Sequence, residues 1–134
     1  MDALDTNVLV RYFLQDDPEK GPAAARLIDG AHELGISLVA LAETAFVLSR
    51  NYGVPREEVV DRLVELLRKR NIEVLGMDKA LVASALLLCR PSGRVNYADA
   101  LINADARAHT VDQLYTFDER FPSEGLTLRE PESR

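Results

Sequence analysis

Four acids in this chain stand where the sequence changes character: Asp5, Glu43, Asp99 and Asp118. Asp5 follows Ala3-Leu4 and precedes Thr6-Asn7-Val8-Leu9-Val10, where a short strand gives way to a helix. That is the carboxyl end of a strand, the end at which open α/β sheets bind ligands. Its bland reading is a helix cap, a position Asp and Asn both favour. Glu43 interrupts Leu38-Val39-Ala40-Leu41-Ala42-Glu43-Thr44-Ala45-Phe46-Val47-Leu48, which is otherwise almost entirely apolar. A helix apolar nearly all round is buried, and a carboxylate there faces a large desolvation cost unless a cation meets it. Arg50 shares its helical face only roughly and is a poor partner, which favours a metal or a polar cleft.

Asp99 lies in Arg94-Val95-Asn96-Tyr97-Ala98-Asp99-Ala100-Leu101-Ile102-Asn103-Ala104-Asp105. An acid in a first helical turn is already favoured by the helix dipole. Asn103, four residues on, shares its face, so both point one way from a helix of small residues. Asp105 lies well round the helix and belongs on the surface. Asp118 ends Leu114-Tyr115-Thr116-Phe117, where an acid is often only a turn residue. If the first and fourth strands are neighbours where the strand order reverses, Asp5 and Asp118 flank one crevice, and Thr116 faces the same side.

Carboxylates brought together without a counter-ion repel and raise one another's pKa. A divalent cation is the simplest remedy, and oxygen-only ligands point to magnesium or manganese. His32 and His109 lack a second His or Cys at ligand spacing, which argues against zinc. Cys89 is the one cysteine, set in the apolar run Leu86-Leu87-Leu88-Cys89, so it forms no internal disulfide and reads as a packing residue.

The elements that must position these acids are legible as alternating strands and helices. After the opening helix, Asp17 and Pro18 start a second, carrying Ala23, Ala24, Leu27, Ile28 and Ala31 inward, with Gly35 as its stop. Ile36-Ser37-Leu38-Val39 reads as a buried strand running into a helix through Glu43 to about Arg50. Pro55 opens the clearest amphipathic helix, with Val59, Val60, Leu63, Val64, Leu66 and Leu67 at helical spacing. Ile72-Glu73-Val74-Leu75 is a strand; Asp78 caps the next helix and Asn96 the one after it, which runs to about His109. Leu114-Tyr115-Thr116-Phe117 and Leu126-Thr127-Leu128 are the last strands, before a tail of residues 130–134 expected to fray. Alternation of this kind implies a mainly parallel sheet covered on both faces.

At 134 residues the chain is expected to be one domain, residues 1–134, and its 47% of hydrophobic residues marks it as globular. The formal net charge of -6 argues against a generally basic nucleic-acid surface and suits a basic protein partner. Met1-Asp2 leads at once into the first element, leaving no room for a signal sequence, and no apolar run is long enough to span a membrane. The expected location is the cytoplasm.

Taken together, Leu4-Asp5-Thr6-Asn7, Ala42-Glu43, Tyr97-Ala98-Asp99-Ala100-Leu101-Ile102 and Tyr115-Thr116-Phe117-Asp118 form a pattern. The pattern resembles the PIN-domain ribonucleases, in particular the VapC-type toxins of toxin–antitoxin pairs, and the likeness covers nearly the whole chain. The resemblance implies a three-layer α/β/α domain with a five-stranded parallel sheet, order 3-2-1-4-5. It also implies a metal-dependent endoribonuclease, a homodimer, and a cognate antitoxin that covers or enters the site. By position, Asp5, Glu43, Asp99 and Asp118 match the family's acidic quartet, while Asn7 and Thr116 match polar positions that support it. One departure is Asn96, where many relatives have Asp; an Asn still caps the helix, but the change removes a charge beside Asp99.

On this reading one or two magnesium or manganese ions hold and activate a water that hydrolyses an RNA phosphodiester, leaving a 5′-phosphate. Asp5 and Asp99 would be the principal ligands; Glu43 and Asp118 would bind a second ion or bound waters, with Asn7 and Thr116 holding the ligands in place. RNA would approach through the metal and through arginines, among which Arg11, Arg90 and Arg94 are candidates. Tyr12, Tyr52 and Tyr97 are candidate surfaces for stacking splayed bases, with core packing as their alternative role. Two rivals stand beside this reading. Phosphatase chemistry on an aspartyl nucleophile at Asp5 would want a second acid two residues on, where this chain has Asn7. A non-catalytic RNA- or protein-binding domain would use the acids only as caps and surface charges.

Overall fold

The computed structural model describes residues 1–132. It contains six α-helices and five short strands in the order β1 (Asp2–Ala3), α1 (Thr6–Leu14), α2 (Lys20–Ile28), β2 (Leu34–Ile36), α3 (Leu38–Phe46), α4 (Arg56–Leu67), β3 (Ile72–Val74), α5 (Lys79–Leu87), α6 (Tyr97–Ala108), β4 (Leu114–Tyr115) and β5 (Leu128–Arg129). A π-helical turn, Val47–Asn51, continues α3. The architecture is α/β with parallel strand pairing, as the alternation predicts. No helix among the described residues is long and apolar enough to cross a membrane.

The sheet departs from the expected arrangement. Strands β1, β2 and β3 form one parallel sheet in that order, and β4 and β5 form a second, two-stranded parallel one. The half-orders 3-2-1 and 4-5 are present, but the β1–β4 joint that would make one five-stranded sheet is not. Both strands are two residues long, so each has little ladder to offer. β4 takes its bonds from the β5 segment, through Leu114 N–H to Thr127 O and Thr116 N–H to Arg129 O. Tyr115 and Phe117, whose aromatic character marks this stretch as a strand, are 62% and 72% exposed.

The second strand also lies earlier than the apolar run suggests. Ser37 is the N-cap of α3, its hydroxyl accepting from the Ala40 amide at 3.1 Å, so Leu38 and Val39 belong to the helix. Gly35 is not the stop of α2, which ends at Ile28 with Asp29-Gly30 turning the chain. It sits inside β2, where an added Cβ would collide with Leu75 and Met1. Asn71 ties this corner together, donating through Nδ2 to the carbonyls of Ile28 and His32, both at 2.9 Å.

Helix α4 is as its periodicity predicts, with Val59, Val60, Leu63, Val64, Leu66 and Leu67 all buried. It packs against α5, which packs in turn against α6. Leu41 and Ala45 of α3 and Leu9 of α1 complete the same core around β2 and β3. Asp78 and Asn96 cap α5 and α6 through Ala80 N–H and Asp99 N–H. Residues 130–132 lie outside regular structure; the rest of the tail expected to fray lies outside the described residues.

Cys89 is wholly buried, and burial pushes its thiol up to about 11. The thiolate is the reactive form, so at pH 8 the native protein should react with a disulfide reagent roughly two orders of magnitude more slowly than a free cysteine, from ionisation alone. The measurement is the absorbance released from Ellman's reagent, with and without urea. Native-state labelling at the free-thiol rate would contradict the burial.

Candidate active site

Asp5 leaves β1 through Leu4 and takes the N-cap position of α1 with extended backbone, φ -88° and ψ 160°. Its carboxylate nevertheless makes no capping hydrogen bond. The bland reading of this acid therefore fails in its geometry: the cap position is occupied, but the carboxylate is free for another role. It opens onto a cavity of about 380 Å³, whose lining includes Thr6, Asn7, Arg11, Glu43, Asn51 and Tyr52. The π-helical turn after α3 supplies Asn51 to this wall and delivers Tyr52 beside it.

Glu43 corrects the sequence expectation. It is exposed, not buried, because α3 keeps Ala40, Leu41, Thr44 and Ala45 inward and presents another side outward, where Val39 is 77% exposed. No cation meets it. Arg50 stacks instead over the Phe46 ring, at 5.2 Å from its centroid. Glu43 is held by the hydroxyl of Thr6, which donates to its Oε1. Thr6 is buried, and the sequence reading passed over it. Its signal was available: a hydroxyl directly after Asp5, at the start of a helix whose next residues are apolar.

Asp99 is half-buried in the first turn of α6. Asn96 accepts from the Asp99 amide at 2.8 Å and returns its own Nδ2 to Asp99 Oδ2 at 3.1 Å, so the acid also serves the cap. Burial, then the charge of Asp118, hold its carboxyl above the usual carboxylate range, against the opposing pull of the Asn96 amide. Asp118 follows β4 in a turn, its Oδ1 accepting from Arg120 N–H at 2.8 Å while its own amide donates to Thr116 Oγ1 at 3.0 Å. Thr116 thus bonds the backbone of Asp118, and Asn7 lines the cavity of Asp5 and Glu43. Asn103 does not join Asp99. It is fully buried and donates through Nδ2 to the carbonyls of Pro122 and Glu124, at 2.9 and 3.1 Å.

The site therefore comes as two couples: Asp5 with Glu43 on one cavity, and Asp99 within the field of Asp118. The donors are all oxygen, and none of the four forms an ion pair with lysine or arginine among the described residues, which fits a hard divalent cation. Their spacing is less complete. Among the described residues no three acids, histidines or cysteines stand together as a ready metal site.

No curated protein matches the sequence. The family model of the PIN domain matches residues 3–123, which include all four acids and the strands from β2 to β4. The chain belongs to the PIN-domain family, whose members are generally nucleases.

Proposed function

We propose that this PIN domain is a metal-dependent endoribonuclease and the toxin of a toxin–antitoxin pair. The observation that carries the reading is Asp5, a carboxylate at a helix cap that caps nothing and opens onto a cavity with Glu43. In a family of nucleases, a free acid in that position is best explained by work on a cation. Asp5 and Asp99 would be the principal ligands of magnesium or manganese, with Glu43 and Asp118 beside them. A bound ion would acidify a water and neutralise charge on the phosphate.

The chain's own residues keep the donors in place for that task. Thr6 holds Glu43, Asn96 holds Asp99, and Thr116 fixes the turn of Asp118. Asn7 follows Asp5 by two residues and lines the same cavity. An antitoxin with a basic stretch suits a chain of net charge -6. The expected homodimer is supported by an apolar groove between α3 and α6, where Val39 and Ile102 are exposed.

Thermal unfolding with and without manganese tests the reading without a choice of RNA. An ion that binds only the folded state stabilises it by about 2.7 kcal/mol at a hundred times its dissociation constant. The wild-type midpoint should rise in millimolar manganese, and Asp5→Asn and Asp99→Asn should lose that response. The rival, a non-catalytic RNA- or protein-binding domain, is favoured by the cap and turn bonds of Asp99 and Asp118. A wild type indifferent to manganese, with substitutions that only mildly destabilise, would establish the rival.

A further inference from the structure

An acidic cavity that handles a polyanion needs a cation and a surface for bases, and the sequence offers several of each. The structure separates them. Arg90 is engaged by Asp61 through two bonds, at 2.8 and 3.0 Å, and Arg94 does not line the acid cavity. Tyr97 is 3% exposed and bonded to Ser49, while the hydroxyl of Tyr12 donates to Asp29 at 2.7 Å. Arg11 and Tyr52 both line the cavity of Asp5 and Glu43, and Arg11 is the one basic residue in that lining.

Arg11 is also held in a particular way. Its Nη1 donates to Asp16 at 2.6 Å and its Nη2 to the Tyr52 hydroxyl at 2.8 Å, with the guanidinium 5.7 Å from the Tyr52 ring centroid. Those bonds use two of the five N–H groups that a guanidinium carries. Asp16 takes the cation's pairing, so Arg11 forms no ion pair with Asp5 or Glu43 across the shared cavity. Arg11 leaves both carboxylates unpaired, and the guanidinium stays oriented with donors to spare. Tyr52 is 46% exposed at the cavity wall with the Arg11 guanidinium over its ring, and Gly53 after it turns through φ 65° with nothing packed against it.

We propose that Arg11 and Tyr52 form a substrate clamp for single-stranded RNA at the acid cavity: Arg11 binds a phosphate adjoining the scissile one, and Tyr52 stacks the base beside it. The clamp rests on the reading of this cavity as a ribonuclease site. Asp16 and the Tyr52 hydroxyl pre-orient the guanidinium, which lowers the ordering cost when a phosphate arrives. Tyr52 gives affinity without sequence preference, because every base has a π-face.

The test is steady-state cleavage, in manganese, of a pool of short labelled single-stranded RNAs of randomised sequence, repeated over a series of salt concentrations. Arg11→Gln and Tyr52→Leu should each raise KM about tenfold while kcat changes little, as loss of one stacked base or one phosphate contact implies. The slope of log KM against log salt should fall by about 0.7 for Arg11→Gln, the share of one phosphate on a single strand, and hold for Tyr52→Leu. Tyr52→Trp, which keeps a stacking ring but loses the hydroxyl that orients Arg11, should fall between wild type and Tyr52→Leu in KM. A purely structural role for Tyr52 would impair the Trp and Leu variants alike and would overturn the stacking assignment. Wild-type KM in both Arg11→Gln and Tyr52→Leu, with active wild type, would overturn the clamp and leave the ribonuclease standing. A wild type that responds to manganese but cleaves no RNA would remove the ribonuclease reading and the clamp with it.

Discussion

Asp99→Asn should lower RNA cleavage by on the order of a thousandfold, the scale at which removing one preorganised electrostatic group reduces turnover. At the same time the metal-free protein should unfold at an equal or slightly higher temperature. The two signs follow from one cause. Burial and the charge of Asp118 already work against the ionised form of Asp99, so the native state carries this carboxylate at a cost. Asparagine removes the charge and its repulsion yet preserves the cap, because its Oδ1 can still accept from Asn96 Nδ2 and its amide still donates to Asn96 Oδ1. A residue whose neutral isostere stabilises the fold and disables the reaction is placed for function, not for folding.

The control is Asp105→Asn on the same helix. Asp105 is exposed and faces His109 at 3.1 Å, away from the acid cavity, so cleavage should stay within about twofold, as for surface changes that touch no special feature. Rates on a labelled RNA and calorimetric midpoints without metal give both readings. If Asp99→Asn kept more than a tenth of the wild-type rate, Asp99 would be a cap residue, and the site would have to be rebuilt around Asp5 and Glu43 alone.

Helices whose apolar residues recur with a helical period were legible, because the signal is repeated many times within one element. α4 is the clearest case, with all of its predicted inward positions buried. Caps were legible where the side chain has one good local use: Asp78 and Asn96 each bond their own helix. Short apolar runs were not. Ile36-Ser37-Leu38-Val39 carries no period that separates a buried strand from a buried helix, and the Ser37 hydroxyl decides it by capping α3. Composition misled at Glu43, since an apolar helix is buried only where a neighbour covers each side, and nothing among the described residues covers Val39. Strand partners were out of reach as well. Aromatic and β-branched residues mark β4 as a strand, but which edge it takes depends on contacts far along the chain. Of the acids, Asp5 is the one whose role the structure sharpens most, because only coordinates show that an acid at a cap position is not capping.

Asn103 shows how a residue read for the right face can carry a different duty. It shares a helical face with Asp99, but α6 turns it inward, where its amide holds the carbonyls of Pro122 and Glu124. These bonds fasten the segment that carries Asp118, with Phe121 buried at its centre. Asn103→Ala should therefore destabilise the protein by about 2–3 kcal/mol: about 1 for each hydrogen bond lost, plus part of the cost of a buried carbonyl left bare. The sum is held down by a gain on the other side, since the Asn103 Oδ1 has no partner among the described residues and its removal relieves a buried acceptor. Asn103→Asp should cost more, because it sets carboxylate oxygens against two carbonyls at the same shape. Urea unfolding gives these values. Cleavage measured where both proteins are folded should also fall by about tenfold in Asn103→Ala, the scale at which groups supporting a metal's ligands act. The Arg120 amide, which is bonded to Asp118, should exchange faster with deuterium. A variant that loses stability but keeps both its cleavage rate and the protection of that amide would show that Asp118 is placed without Asn103. The anchor would then be the buried pair Phe121 and Pro122, and their burial would suffice to bring the fourth acid within the field of the third.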